Sequence, residues 1–392
     1  MKKTVILLLA LAYASGLYAA NENFDVTPRI ANVTETSFTV LYTTKQKTLS
    51  WVEIAPDDGT TWYQCERTRY YEDVSGRHFY GRYHHVTVSG LKPGTSYRYR
   101  VIGKTVTDDS DAYKMTYGPL FAWNPSWGTG NRHARSITVR TLDANAPSCS
   151  FSLVCDTHFD DAKLSSLING MPEDNDFIVY AGDIISHSSN IDSVLIHTFM
   201  PVKEKVSQYP VFYARGNHES RGADWHKLPA EFPSNNGQFY YIFRQGPAAF
   251  LVLDAGEDKP DSNDEYFDTA SFDKYRLQEL EWLKTAVNDP SFTSAPQKIC
   301  IIHIPTLAGK EAWYCQKWIT DNFAPILAGA GVKLMLSGHH HRYIFHEAGQ
   351  DGIGYNVYVN SNEERLDVKV TGSGIQLKSF DLKGVQTREM KF

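Results

Sequence analysis

Cysteine is scarce in this chain. The five residues in 392 (Cys65, Cys149, Cys155, Cys300 and Cys315) are scattered, and no pair has zinc-finger spacing. That excludes a disulfide framework and a Cys-type zinc module, while leaving a single bridge open. A surplus of positive charge is also lacking. With 39 basic against 45 acidic side chains the formal charge is −6, so a clustered Lys/Arg footprint for nucleic acid is not the theme. Beyond the first twenty residues no apolar run approaches bilayer length, and there is neither an internal repeat nor a low-complexity tract. What is present is globular: 42% apolar, 21% charged, and long enough for two domains. Aromatic residues reach 13%, including 23 Tyr, which favours sheet.

Lys2 and Lys3, the short apolar run Val5–Ala12 and small residues up to Ala19 and Ala20 read as a secretory signal peptide over 1–20. The expectation is an exported protein, periplasmic or secreted, with no integral membrane segment once the signal is removed. The mature chain then divides near residue 145. Over 21–145, short alternating stretches such as Ser37–Tyr42 and Ser50–Ile54 are separated by polar turns. His85–Val101 (HVTVSGLKPGTSYRYRV) is similar to the tyrosine corner of a fibronectin type III sandwich, with Tyr97 bonding back to the preceding turn. Lys104–Arg135, bearing Trp123 and Trp127, has poor periodicity and reads either as an elaborated hairpin or as a packed loop.

Over 146–392 the pattern becomes strand, helix, strand. Apolar strands are expected at Phe151–Cys155, Phe177–Ala181, Val211–Ala214, Ala249–Leu253, Lys298–Ile302 and Lys333–Leu336. Helices are expected at Asp161–Met171, Ile191–Val206, Phe272–Val287 and Glu311–Ala328. This alternation indicates an α/β layer structure.

Five short signatures each follow one of those strands: Asp156-Thr-His158, Gly182-Asp183, Gly216-Asn217-His218-Glu219, His303, and Gly338-His339-His340-His341. Side chains launched from the carboxyl ends of several strands converge on one point. Their donors are oxygen and imidazole nitrogen, never thiolate, which suits Fe, Zn or Mn. Seven candidates (Asp156, His158, Asp183, Asn217, His303, His339, His341) exceed what one tetrahedral ion needs, so two metal ions are expected, with a carboxylate such as Asp183 bridging them. Residues two apart in extended chain face the same way, which pairs Asp156 with His158 and His339 with His341 and turns His340 elsewhere.

Residues 150–345 resemble the calcineurin-like metallophosphoesterase superfamily. With the fibronectin-like segment in front, the chain looks most like purple acid phosphatases. The resemblance implies a four-layer αββα sandwich preceded by an all-β fibronectin type III-like sandwich. It also implies one metal held by Asp156, His158, Asp183 and His341, a second held by Asp183, Asn217, His303 and His339, and His218 as proton donor. Two departures stand out. The purple enzymes carry Gly where this chain has His158, and a Tyr where it has Ser186, so the tyrosinate that colours ferric iron has no counterpart.

The implied activity is hydrolysis of a small phosphomonoester by in-line attack of hydroxide generated at the metals, with the His218 imidazole protonating the leaving oxygen. Arg221 and Trp225, just past His218, are candidates to touch phosphate and leaving group. A phosphodiesterase on the same metals is the nearest alternative. An adhesion or glycan-binding protein with a vestigial phosphatase domain is the alternative from another class.

Overall fold

The computed structural model describes residues 21–60, 62, 64, 66–123, 137–307, 309 and 312–392. The expected signal peptide, Cys65 and Trp127 lie outside the described residues. The chain forms two compact units. One runs to Thr141 and includes Val206–Gln208; the other takes Leu142–Lys205 and Tyr209–Phe392.

The first unit is built of strands. The two short strands expected at Ser37–Tyr42 and Ser50–Ile54 are a single strand, Ser37–Pro56, that changes partners midway. Its first half lies between Phe24–Ala31 and Tyr80–Ser89, and its second half pairs with Ser96–Asp111 and Thr68–Tyr70. The exposed polar triplet Lys45-Gln46-Lys47, which looks like a turn in sequence, is where the ladder slips between Thr43 and Thr48. As far as Trp123, the ambiguous stretch after Val101 is a hairpin, Ser96–Asp111 with Lys114–Trp123, whose register shifts account for its poor periodicity. Trp123 is buried against Tyr99, with ring centroids 5.6 Å apart. Tyr97 Oη accepts the Lys92 N–H at 3.0 Å, closing the corner that the sequence marks.

The second unit is the α/β layer structure. In one sheet Ser148–Val154, Phe177–Tyr180 and Val211–Tyr213 run parallel, and Glu364–Thr371, Gly374–Asp381 and Gln386–Lys391 add an antiparallel meander. In the other, Ala248–Val252, Gln297–Ile301, Leu334–Ser337 and Asn356–Val359 are parallel, edged by Tyr241–Gln245 and Ile344–His346. The sheets meet across an aromatic seam: Phe151 and Phe177 lie edge-on to Phe250 at 5.5 and 5.6 Å, and Phe212 stacks on Phe243 at 3.8 Å. Each buried ring contributes about 2 kcal/mol by leaving water. Alternate residues of the second sheet (Ala249, Leu251, Cys300, Met335, Val357) face a core shared with Leu280 and Leu283 of helix Phe272–Ala286 and Ile319 of helix Tyr314–Asn322. Helix Asp161–Asn169, capped by the Asp160 carboxylate, packs on the first sheet. The layers are therefore helix, sheet, sheet, helix.

Two expected helices are each split. Ile191–Phe199 gives way to a short turn at Met200–Val202, and Tyr314–Asn322 is followed by a separate Ala324–Gly329. Pro201 and Pro325 lack the N–H that would continue the first helix, and each sits in the first turn of the next segment. The four described cysteines are buried free thiols.

Candidate metal centre

The parallel strands end together, and the expected signatures follow them. Their backbone is unusual. Eleven non-glycine described residues have positive φ, and five of these are Asp156, His158, Asp183, His339 and His341, at +50° to +74°. Left-handed conformations cost β-carbon-bearing residues on the order of 1 kcal/mol each, so the surroundings must hold them. They do. The Asp156 carboxylate accepts the His339 N–H at 2.9 and 3.1 Å, and Asp183 Oδ1 accepts the His218 N–H at 2.9 Å. Glu219, fully buried, accepts the N–H groups of Asp183, Ile184 and Gly216, each at 3.0 Å. Burial and the nearby Asp183 charge push the Glu219 carboxyl up to about 8. The motif glycines are close-approach positions: a β-carbon at Gly216 would strike the Asp183 carboxylate, and one at Gly338 would lie 2.5 Å from Asp156 Oδ2.

The side chains fall into groups whose donor atoms lie within 4.8 Å of one another: Asp156, His158 and His341; Asp183, His303 and His339; and His158, Asp183 and His218. His158 Nε2 is 3.0 Å from His341 Nε2, and His341 Nε2 is 3.4 Å from Asp156 Oδ1. His303 Nε2 stands 3.1 Å from Asp183 Oδ2 and 3.9 Å from Asp156 Oδ1. Burial opposes charge here, yet the two carboxylates raise His303 to about 10, and His303 in turn holds Asp183 well below the usual carboxylate range. His339, buried and facing His303, is pushed well below the ordinary imidazole value.

These residues fit metal ions. His303 Nδ1 lies 2.8 Å from the Ala181 carbonyl, which can only accept, so Nδ1 donates there and Nε2 is directed inward. His303 Nε2, His339 Nε2 and Asn217 Oδ1 are all buried without a hydrogen-bond partner. Buried polar atoms left unpartnered are costly unless something occupies them. The carbonyl of Ala181 orients the His303 ring, and Glu219 clamps the backbone.

A pocket of about 390 Å³ opens over Asp183, Asn217, His339 and His341. His218 lines it with Nδ1 anchored 3.0 Å from the Ser186 carbonyl, Nε2 3.9 Å from Asp183 Oδ2, and its ring 4.7 Å from that of His158. Arg221 lines it too, held in a two-pronged pair with buried Glu257 at 2.8 and 2.9 Å. Trp225, half exposed, is not among the lining residues of this pocket. His340 pairs with Gln316 at 3.2 Å and reaches the pocket wall. His187 is exposed beside Phe159, away from it. Three lining residues escape sequence reasoning: Asp258, Lys259 and Trp313. All come from irregular loops that carry no motif.

Comparison with known proteins agrees with this geometry. The chain matches the calcineurin-like phosphoesterase family over residues 151–343 and the purple acid phosphatase N-terminal domain over residues 24–117. Among solved structures, the purple acid phosphatase PPD1 from yellow lupin (Lupinus luteus) seeds is similar, with a TM-score of 0.62 and 13% identity over 93% of this chain and 73% of that one. PhoD is also similar, with a TM-score of 0.60 and 13% identity over 94% and 92%. No curated protein matches the sequence. The two family matches, with clustered Asp and His at the strand ends, place the chain among the calcineurin-like metallophosphoesterases, as a phosphoric ester hydrolase of the purple acid phosphatase type.

Proposed function

We propose that this chain is an exported phosphomonoesterase that works with two metal ions. Asp156, His158, Asp183 and His341 would hold one, and Asp183, Asn217, His303 and His339 the other, with Asp183 shared. Bound there, cations such as Fe, Zn or Mn supply an acidified water and offset charge on the phosphoryl oxygens. The protein's own groups do the rest. Arg221, fixed by Glu257, presents a guanidinium to a phosphate oxygen from the same wall as His218, their nearest nitrogens 3.4 Å apart. To act as acid, His218 would carry protons on both ring nitrogens, donating Nδ1–H to the Ser186 carbonyl, which keeps the ring from turning, and offering the Nε2 proton to the pocket. As water oxygen bonds to phosphorus and the ester P–O bond breaks, that proton passes to the leaving oxygen. Export is supported by the charged and apolar opening of the sequence. Among the described residues no helix is long and apolar enough to cross a membrane.

The observation that carries this reading is the buried carboxylate of Asp183, with His303 Nε2 at 3.1 Å and the anchored His218 Nε2 at 3.9 Å from its Oδ2. The experiment reconstitutes the protein with Mn, Zn or Fe and compares an aryl phosphate with its bis-aryl diester. Faster hydrolysis of the monoester is expected. Faster hydrolysis of the diester makes the chain a phosphodiesterase, and hydrolysis of neither rejects a working phosphatase site.

A further inference from the structure

Next to the metal pocket lies a second cavity of about 710 Å³, in the size range of small-molecule sites, and Arg221 belongs to both walls. Six aromatic rings line it (Trp225, Phe239, Tyr266, Phe267, Phe272 and Tyr275), beside small and polar residues and the carboxylates of Glu257 and Glu265. One buried cation completes it. The Arg215 guanidinium is 7% exposed, bridges Asp254 at 2.7 Å, and lies over the rings of Phe239 at 4.6 Å and Tyr275 at 5.4 Å, yet its Nε has no hydrogen-bond partner. The two cavities share a rigid frame. Glu257 grips Arg221 with both oxygens and also accepts the Tyr266 hydroxyl at 3.2 Å. Two features run against ordinary packing. Trp225 is 50% exposed, and Phe267 is 84% exposed on a backbone held at φ +50°. A bulky residue in that conformation costs backbone strain, and both exposed rings are free to cover a ligand.

The geometry points to a leaving-group pocket: this cavity takes the aromatic ring of the alcohol whose phosphate sits under Arg221. The inference rests on the phosphomonoesterase reading and adds the substrate class. Ring faces on the walls suit a flat π-system better than a short alkyl chain. The Arg215 guanidinium in the wall favours an electron-rich ring with an acceptor at its edge, such as a hydroxyl or a heterocyclic nitrogen. Ring binding away from phosphorus positions the ester for His218 and raises kcat/KM. A simple aryl alcohol and a nucleoside share this chemistry.

The test uses the metal-loaded full chain with benzyl phosphate, adenosine 5′-phosphate and ethyl phosphate, all esters of primary alcohols with comparably poor leaving groups. At least one aromatic ester should exceed ethyl phosphate in kcat/KM by about tenfold, and Phe267→Ala or Trp225→Ala should each cut that preference by about fivefold, the scale of one aromatic contact. The preference is a ratio within one preparation, so a misfolded fraction cancels. Ala270→Trp, which fills the wall, should abolish it. Product inhibition by benzyl alcohol or by adenosine tells the aryl source from the nucleoside source. Equal kcat/KM for all three esters, or a preference that none of the substitutions changes, overturns the pocket. Should none of the three be hydrolysed, the phosphomonoesterase reading falls and calorimetric titration decides the pocket. Saturable binding of benzyl alcohol or adenosine, weakened by Phe267→Ala, sustains it, and no binding overturns it.

Discussion

Glu53 in the first unit and Asp183 in the second are both carboxylates facing nitrogen, at 3% and 2% exposure. The oxygens of Glu53 are fully engaged. Oε2 takes Arg100 at 2.6 and 3.0 Å, and Oε1 takes the Trp51 indole and Arg69, each at 3.2 Å. Its strand has no residue at positive φ. Asp183 has a left-handed backbone, as do four other proposed ligands, and its neighbours His303, His339 and Asn217 keep buried atoms without partners. A cluster that serves the fold closes on itself in relaxed backbone. One that serves a ligand is left open and held under strain.

Three substitutions test that contrast. Asp183→Ala removes an oxygen shared by both proposed sites, so metal content should fall and hydrolysis should drop to background. In the unaltered protein, metal at 100 to 1,000 times Kd should add about 3–4 kcal/mol to stability. Calorimetry with and without chelator should find that increment gone from the variant, and a variant that keeps both ions refutes the bridge. His218→Ala should retain metal while the rate falls by about two to four orders of magnitude, the usual range for a positioned proton donor. The loss should shrink for an activated aryl phosphate, whose leaving group needs little protonation. Metal loss would instead make His218 a ligand, completing its group with His158 and Asp183.

Glu53→Gln should leave metal content and kcat untouched and cost about 1.5–3 kcal/mol of folding stability, since an amide cannot replace a charge-assisted acceptor. The sign with pH follows from the Glu53 carboxyl. Burial raises it, but Arg100, Trp51 and Arg69 together bring it below its usual 4.5. A depressed acid contributes stability above its unfolded value that is lost as pH falls through the folded one. Denaturation at pH 7 should separate the variant from the original chain, and the gap should narrow progressively below about 4.5. A gap that widens in acid would mean that Glu53 is not the partner of these cations.

The sheet and the ligand candidates were legible because two patterns coincide. Apolar strands such as Phe177–Tyr180 stand out by burial on both faces, and Gly-Asp or Gly-His-x-His follow them directly. Continuity was harder to see. The polar triplet Lys45-Gln46-Lys47 hides one long strand, and Pro201 and Pro325 interrupt helices whose apolar spacing runs on past them. The pocket wall was least legible. Asp258, Lys259 and Trp313 sit on loops with no period to betray them, and they reach the site only through tertiary folding. Trp225, next to the histidine motif in sequence, lines the neighbouring cavity instead.

The left-handed backbone at His339 and His341 sets how such a protein would decay. A lineage released from chemistry would gain on the order of 1 kcal/mol by accepting Gly at either position, so drift under selection for stability alone runs one way. Histidine there is the less stable choice, kept only while the site works. Retired descendants of this fold should carry glycine at these two positions while their strands and core remain unchanged.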